Sequence, residues 1–320
     1  METKKPVKVS VCVPSYNNAD EVKRLMDSVV MQDYKDYEVN ISDDSTNDEI
    51  AELVREYSGV RLNYVHNQKP LGHIFNWNAA IKMAKGEYIK IMFSDDWFTD
   101  KDSLGKFAAM LDDAPEVLLA FSGSRQVMLG AQVGKNVQHV TSEHKLSSYD
   151  RYASADYIAG LRQDYRRLFL SNQIGAPSAT IYRRGARLAL FDEQSNWASD
   201  MFLYFDLLQD NSNFAYTREP LIAIGVHENQ YTESFSEKDM RIYNDYRYMY
   251  IKYGLSKSRE CREYFAEKFI VKYKKGLKEA GALDIDVGVY LKKCLGELRV
   301  SARCFLRHRL SRLGKGGKKN

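Results

Sequence analysis

The chain has 320 residues, of which 44% are hydrophobic and 28% are charged, as is typical of a soluble globular protein. No apolar run of about 18 residues occurs and no signal-peptide pattern follows the N-terminus, so neither a membrane-spanning helix nor a secretory leader is predicted. The four cysteines form no Cys-x-x-Cys pair, which excludes a zinc site of that kind and predicts reduced thiols in a cytoplasmic protein.

The net charge of +4 hides a strong asymmetry between the body of the chain and its end. Residues 291–320 contain ten Lys or Arg and one acid, whereas the rest of the chain contains 37 bases and 42 acids. A mildly acidic body with a basic tail predicts that the tail meets an anionic surface.

Strand and helix patterns alternate over residues 7–96. Strands are predicted at 7–13, 37–42, 60–65 and 88–93, with helices around 22–29, 45–57 and 76–84. Pro14 is expected to end the first strand, because proline removes a ladder donor. This alternation predicts an α/β fold with right-handed crossovers and a mainly parallel sheet.

The remaining chain continues the pattern less regularly. A helix is predicted at 104–111, strands at 117–121, after the loop that starts at 174, and at 220–226, and a helix at 201–208, whereas residues 125–170 show no clear pattern. The predicted domains are residues 1–235, a helical extension over 236–313 with a basic amphipathic helix, and a disordered tail over 314–320.

The fourth predicted strand leads into two adjacent acids, Asp95 and Asp96. Neighbouring carboxylates repel each other unless a cation or a set of donors neutralises them. Mg²⁺ or Mn²⁺ would do so, since it takes one or two protein carboxylates and completes its shell with phosphate oxygens. The alternative is a solvated junction between strand and turn.

Two other strand ends also carry polar residues, Pro14 to Asn17 after the first strand and Asp43-Asp44 after the second. The topology brings all three ends to one edge of the sheet, where ligands bind in such folds. The alternative for Asp43-Asp44 is a helix cap whose acids favour the helix macrodipole. The convergence of three polar strand ends predicts a ligand site at this edge.

Three common sequence motifs, for phosphate binding or for a catalytic nucleophile, are absent from the chain. The chain contains no Gly-x-x-x-x-Gly-Lys, no Gly-x-Gly-x-x-Gly and no Gly-x-Ser-x-Gly. A bound nucleotide would therefore depend on carboxylates, a metal and loop amides.

Five spaced motifs follow one another in the chain. They are Val13-Pro14-Ser15-Tyr16-Asn17, Ser42-Asp43-Asp44-Ser45-Thr46, Gly72 with Asn78, Gly86-Glu87-Tyr88-Ile89, and Ser94-Asp95-Asp96. In this order they resemble family 2 glycosyltransferases of GT-A fold, over about residues 7–232. The resemblance implies a Rossmann-like nucleotide-sugar-binding domain and an inverting transferase that uses a UDP-sugar and Mn²⁺ or Mg²⁺.

The resemblance also implies roles for individual residues. The nucleotide-binding residues that it implies are Pro14, Tyr16, Asn17, Asp43, Asp44, Asn78 and Asp95. It implies metal binding by Asp96 and His227, and a catalytic base at Asp200. Asp192 and Glu193 are the alternative candidates for the base.

The chain departs from the family pattern at three positions. Phe93 stands where many members have the first acid of Asp-x-Asp, Trp77 where an arginine is common, and Ser199 where an acid often precedes the base. Three cations are alternatives for neutralising the diphosphate, and the sequence does not choose among Lys69, Lys90 and Arg183.

The leading functional hypothesis is an enzyme that transfers a sugar to a glycan or lipid-linked acceptor, with no nucleic-acid partner. The alternatives are a sugar-phosphate nucleotidyltransferase and a non-catalytic nucleotide or glycan binder. Apolar residues at three- and four-residue steps from Leu291 to Leu313 alternate with bases, which predicts a helix that binds an anionic membrane at the inner face of the plasma membrane. The alternative is a helix docked on the body.

Overall fold

The computed structural model describes residues 7–129, 147–185, 188–227, 230, 235–236 and 238–296. The chain divides into two compact units, Met1–Ser236 and Glu237–Asn320.

The first unit alternates strands and helices. Its strands are β1 (Val9–Ser15), β2 (Tyr37–Asp43), β3 (Leu62–His66), β4 (Tyr88–Ile91), β5 (Asp96–Phe98), β6 (Leu119–Met128), β7 (Ser148–Arg151), β8 (Thr180–Arg183) and β9 (Ala215–Val226). Its helices are α1 (Ala19–Val30), α2 (Glu49–Leu53), α3 (His73–Lys82), α4 (Ser103–Asp112), α5 (Ala155–Gln163) and α6 (Ser199–Leu208). Short 3₁₀ turns occur at Val54–Tyr57, Tyr165–Phe169 and Pro177–Ala179.

Among the described residues, the strands form one sheet of nine strands, in the order β3-β2-β1-β4-β8-β6-β9-β5, with β7 paired to β6. The first four strands in this order are parallel. In the other half, β6 and β9 are parallel, and the remaining pairs are antiparallel. The predicted α/β class is confirmed, and the sheet is parallel in one half and mixed in the other.

The core forms where α1 covers one face of the parallel strands. Val9, Val11 and Val13 alternate along β1 and are fully buried in one cluster with the apolar stripe of α1, including Leu25 and Met26. Burial of such side chains is the main favourable term in folding. Here it holds the carboxyl ends of β1, β2 and β4 at one edge.

The first strand continues through Pro14, contrary to the expectation that proline would end it. The pairing of β1 with β2 runs on to Ser15, whereas its pairing with β4 ends at Cys12. Cys12 O accepts from Met92 N on the β4 side, and Ser15 O accepts from Asp44 N on the β2 side. The backbone polar groups of alternate residues in a strand point to opposite neighbouring strands, so the backbone nitrogen of Pro14 points toward the β4 side. The pairing with β4 has already ended at Cys12, and no N–H donor is needed at residue 14.

The fourth strand is shorter than predicted and a separate strand follows it. β4 ends at Ile91, and Phe93 N donates to the hydroxyl of Ser178 at 3.0 Å instead of continuing a ladder. Asp96 begins β5, which pairs antiparallel with β9. The region 125–170, which shows no clear pattern, contains the end of β6, β7 and α5.

The described part of the second unit, residues 238–296, is helical. It contains α7 (Met240–Lys252), a 3₁₀ turn at Leu255–Lys257, α8 (Arg259–Phe265), a π-helical segment (Ala266–Val271) and α9 (Leu277–Ala282), and residues 287–296 are also helical. Stacked aromatic pairs hold it together, with ring centroids 4.6 Å apart for Tyr250 and Phe265 and 4.2 Å apart for Tyr246 and Phe269.

Most of the predicted amphipathic helix and all of the predicted disordered tail lie in residues 297–320, outside the described residues. In the described part of the chain, none of the helices combines the length and the apolar character needed to cross a bilayer.

Candidate active site

The loops after β1 and β2 hold each other in place. Asn17 N donates to the hydroxyl of Ser45 at 2.8 Å, and the side-chain oxygen of Asn17 accepts from Thr46 N at 2.9 Å. Asn17 has φ 49°, a conformation that asparagine tolerates better than most residues. The arrangement leaves the side chain of Tyr16 55% exposed at the edge of the sheet.

The two acids at the end of β2 are buried and fully engaged. Asp43 accepts from the hydroxyl of Tyr64 at 2.7 Å and from Ser45 N at 2.9 Å. Asp44 accepts from Leu71 N and Gly72 N, each at 2.9 Å. Both carboxylates therefore order the loops around the strand ends, and their predicted contact with uracil or ribose stays a prediction.

Asp96 points into the protein. Its carboxylate accepts from Gly225 N at 3.3 Å and from the hydroxyl of Ser178, and burial together with the neighbouring Asp95 charge raises its pKa well above the ordinary value. Only glycine fits opposite this segment, because a Cβ on residue 225 would lie 2.5 Å from the carbonyl oxygen of Asp95. The close approach of β9 thus fixes Asp96 as an interior residue.

Asp95 is the accessible acid of the pair. Its carboxylate lies 3.5 Å from Nε2 of His227, and the two side chains are 24% and 22% exposed, respectively. The hydrogen bond with Asp95 raises the pKa of His227. The structure therefore brings together Asp95 and His227, one predicted nucleotide-binding residue and one predicted metal ligand, while it separates Asp96 from them by burial.

Helix α1 contributes charged residues that the sequence analysis missed. Arg24 Nη2 donates to Asp95 O at 3.4 Å, and its guanidinium lies 4.5 Å from the centroid of the Trp97 ring. Burial, and then the nearby charge of Asp95, raise the pKa of Glu21. A hydrogen bond from Asn18 to Ser94 joins the start of α1 to the same segment. No sequence signal marks these residues, since charges beside an apolar helix stripe are ordinary.

The donor set of this edge suits a hard divalent cation that shares its shell with a ligand. Within the described residues, no three His, Cys, Asp or Glu side chains come together as a ready-made metal site. Asp95 and His227 supply two accessible donors. Mg²⁺ and Mn²⁺ are commonly held by one or two carboxylates together with substrate phosphates, so this pair fits such an ion.

Asp200 lies in the first turn of α6, partly buried. Its carboxylate accepts from Met201 N at 2.8 Å and from the amide of Asn172 at 2.7 Å. Burial raises its pKa to about 6, although both hydrogen bonds and the positive charge of Arg151 oppose the shift. A carboxylate with this pKa is suited to accept a proton near neutral pH.

Asn78 has a different environment from the one predicted. It is buried, and its amide makes two hydrogen bonds with the backbone of Phe191, each 2.9 Å long. Both functions of the amide are therefore used inside the protein instead of facing a nucleotide. The structure gives Asn78 the role of holding the segment that leads to α6.

The three side chains that are alternatives for neutralising the diphosphate differ in their accessibility to a ligand. Lys90 is fully buried, its Nζ donates to the carbonyl oxygens of Ile91 and Ser178, and burial lowers its pKa well below the ordinary value. Arg183 donates to Glu87 at 2.6 Å at the start of β4, the opposite edge of the sheet. Lys69 is exposed in the loop that Asp44 orders, so it is the accessible one of the three.

Comparison of the fold with solved structures shows the architecture. Staphylococcus aureus TarS residues 1–349, in complex with UDP-GlcNAc, superposes with a TM-score of 0.57 at 17% identity over 92% of each chain. The mannosyltransferase PcManGT from Pyrobaculum calidifontis, in complex with GDP-Man and Mn²⁺, has a TM-score of 0.54 at 16% identity over 95% of this chain and 81% of that one. The predicted GT-A fold is thereby confirmed.

The sequence comparisons then define the family. The model of glycosyl transferase family 2 matches residues 10–187, and the chain belongs to this family. The Escherichia coli UDP-Glc:alpha-D-GlcNAc-diphosphoundecaprenol beta-1,3-glucosyltransferase WfaP is 34% identical over 96 residues, which are 30% of this chain and 38% of that protein. The chain thus aligns with less than half of the length of this relative.

Proposed function

We propose that the chain transfers a sugar from a nucleotide-diphosphate sugar to a glycan or lipid-linked acceptor, with inversion at the anomeric carbon and with Mn²⁺ or Mg²⁺. The observation that carries this proposal is the accessible pair of Asp95 and His227 at the edge where the polar ends of the parallel strands meet. WfaP, named for UDP-Glc and a diphosphoundecaprenol-linked sugar, and TarS, bound to UDP-GlcNAc, support a UDP-sugar donor and a lipid-linked acceptor.

The metal assignment of the pair is revised. Asp95 and His227 are proposed to hold the ion, because their side chains are accessible, whereas Asp96 is only 2% exposed and bonded to Gly225 and Ser178. A bound divalent ion would stabilise the negative charge that develops on the leaving diphosphate. Asp96 is proposed to position the segment that carries Asp95.

The nucleoside is proposed to contact the loop after β1. Tyr16, the aromatic residue of this loop, is 55% exposed, and the neighbouring Asn17 is also exposed. Asp43 and Asp44 are proposed to support the site by ordering the loops, since their oxygens accept hydrogen bonds from the protein itself.

Asp200 is proposed as the base. The acceptor oxygen forms a bond to the anomeric carbon, the bond from that carbon to the diphosphate oxygen breaks, and the acceptor proton passes to the Asp200 carboxylate. Its pKa of about 6 leaves the carboxylate mostly ionised at neutral pH, ready to take the proton.

A product assay tests the proposal. The protein is incubated with Mn²⁺, a lipid-diphosphate-linked sugar and either UDP-glucose, UDP-GlcNAc or GDP-mannose, and the released nucleotide and the anomeric configuration of the product are measured. Release of a nucleoside diphosphate with inverted configuration is expected. In a parallel incubation with a nucleoside triphosphate and a sugar phosphate, release of pyrophosphate would instead support the nucleotidyltransferase. Binding of the sugar nucleotides without turnover would support the non-catalytic alternative.

A further inference from the structure

Three aromatic side chains form a contiguous cluster, and one of them, Phe93, lies in the segment that carries Asp95. Trp77 on α3 contacts Phe93 and Phe191, with ring centroids 4.8 Å and 4.9 Å apart. The rings of Phe93 and Phe191 are stacked at 6.5 Å. Phe191 is buried, whereas Trp77 and Phe93 are partly exposed. We call these three residues the aromatic wall.

Hydrogen bonds fix the backbone of two residues of the aromatic wall, Phe191 and Phe93. The amide of Asn78 fixes the backbone of Phe191 with two hydrogen bonds, and Phe93 N donates to the hydroxyl of Ser178 at 3.0 Å. Such preorganised side chains lose little freedom when a ligand binds. The aromatic wall is therefore preorganised for binding a ligand.

The aromatic wall joins the two halves of the proposed reaction centre. Phe93 lies two residues before Asp95 in the segment that links β4 to β5. On the other side, the hydroxyl of Ser195 lies 2.6 Å from the carbonyl oxygen of Asp192, the residue after Phe191, and 2.9 Å from the hydroxyl of Ser199, the residue before Asp200. The wall thus connects the segment proposed to hold the leaving group with the segment proposed to carry the base.

In a single displacement, the transferred sugar lies between the leaving diphosphate and the base. A hexose ring presents C–H bonds on one face, and these pack favourably on aromatic faces, which carry negative charge density. A carboxylate placed there would lose water without gaining a partner and would meet the negative ring faces. The surface therefore suits a neutral sugar and disfavours a uronic acid.

We propose that the aromatic wall is the specificity determinant for the transferred sugar and selects neutral hexose or N-acetylhexosamine donors over uronic acid donors. This inference rests on the proposed function. The inference gives a role to Phe93 and Trp77, two of the three positions at which this chain departs from the family pattern.

The test measures binding of UDP, UDP-glucose, UDP-GlcNAc, UDP-glucuronic acid, GDP and GDP-mannose by titration calorimetry with Mn²⁺ present. The variants are Trp77→Leu and Phe93→Leu, and Phe75→Leu is the matched control, since Phe75 lies on α3, is 48% exposed and is not part of the wall. Wild type is expected to bind a neutral sugar nucleotide about tenfold more tightly than UDP-glucuronic acid. Each wall variant is expected to lose about tenfold in affinity for the neutral sugar nucleotide while its affinity for the free nucleotide is unchanged.

The conservative variants Trp77→Phe and Phe93→Tyr keep a ring and are expected to retain most of the discrimination, which separates stacking from a general loss of structure. Equal binding of UDP-glucuronic acid and UDP-glucose by wild type, or an equal loss for free and sugar-bearing nucleotides in the wall variants, would overturn this inference alone. If wild type bound none of the sugar nucleotides, the proposed function would fail together with it.

Discussion

The side chain of Asn78 clamps the backbone of Phe191, a residue 113 positions further along the chain. Nδ2 donates to Phe191 O and Oδ1 accepts from Phe191 N, both at 2.9 Å. One buried amide therefore joins α3 to the segment before α6, and the aromatic wall and the Asp200 turn both depend on this segment.

The first prediction concerns this clamp. Asn78→Ala removes both partners and leaves two backbone groups of Phe191 unsatisfied, and each such group costs about 1–3 kcal/mol. We expect the free energy of unfolding, measured by urea denaturation, to fall by about 2–6 kcal/mol. Asn213→Ala, at an exposed position, is the control and is expected to change it by less than about 0.5 kcal/mol. A similar small effect of Asn78→Ala would show that the clamp contributes little.

The second prediction concerns the base. Asp200→Asn keeps the size of the side chain but cannot accept the proton, so turnover is expected to fall by about a hundredfold or more while binding of the donor persists. Turnover is measured by release of the nucleoside diphosphate. Asp192→Asn and Glu193→Gln serve as controls. If Asp192→Asn or Glu193→Gln abolishes transfer while Asp200→Asn does not, the residue changed in the inactive variant is the base.

The third prediction concerns the pH dependence of transfer. The base acts when it is deprotonated, and burial raises the pKa of Asp200 to about 6. The rate of transfer in wild type is therefore expected to rise with pH up to about 6 and to level off above it, with a slope of about tenfold per pH unit below that value. The residual rate of Asp200→Asn is expected to lack this step. A wild-type profile that is flat between pH 5 and about 7 would contradict the assignment.

The fourth prediction separates the two adjacent acids. Asp95→Asn is expected to abolish the Mn²⁺ dependence of donor binding and to leave thermal stability unchanged, since Asp95 is partly exposed. Asp96→Asn keeps an acceptor for Gly225 N and the hydroxyl of Ser178, so it is expected to retain the Mn²⁺ dependence. Calorimetric titration of the donor with and without Mn²⁺ makes the comparison. If folded Asp96→Asn loses the Mn²⁺ dependence and folded Asp95→Asn keeps it, Asp96 is the metal ligand.

The fifth prediction concerns the basic tail. Truncation after Gly296 removes residues 297–320 and keeps the ion pair between Lys293 and Glu267, which are 2.8 Å apart. Each basic side chain near an anionic leaflet contributes about 1 kcal/mol, so binding to vesicles that contain phosphatidylserine is expected to fall strongly, and the difference should shrink as salt rises. Transfer to a short water-soluble acceptor should persist. Unchanged vesicle binding would exclude the tail as a membrane anchor.

The sequence by itself determined the α/β class and indicated the edge of the sheet where the site is proposed. Alternating strand and helix patterns over residues 7–96 require crossover connections, and crossovers make strands parallel, so their polar ends meet at one edge. The spacing of the motifs was also sufficient to indicate the family. These properties are local, because each depends on residues close together in the chain.

Only the tertiary structure decided what the individual polar residues do. Asp95 and Asp96 are adjacent and chemically identical, and Asp96 is interior because Gly225, 129 positions away, donates to it and allows close approach. The same holds for Asn78, whose partner Phe191 lies 113 positions further along the chain. A side chain's exposure and hydrogen-bond partners depend on which distant strand packs against it, and spacing within a motif carries no information about that packing.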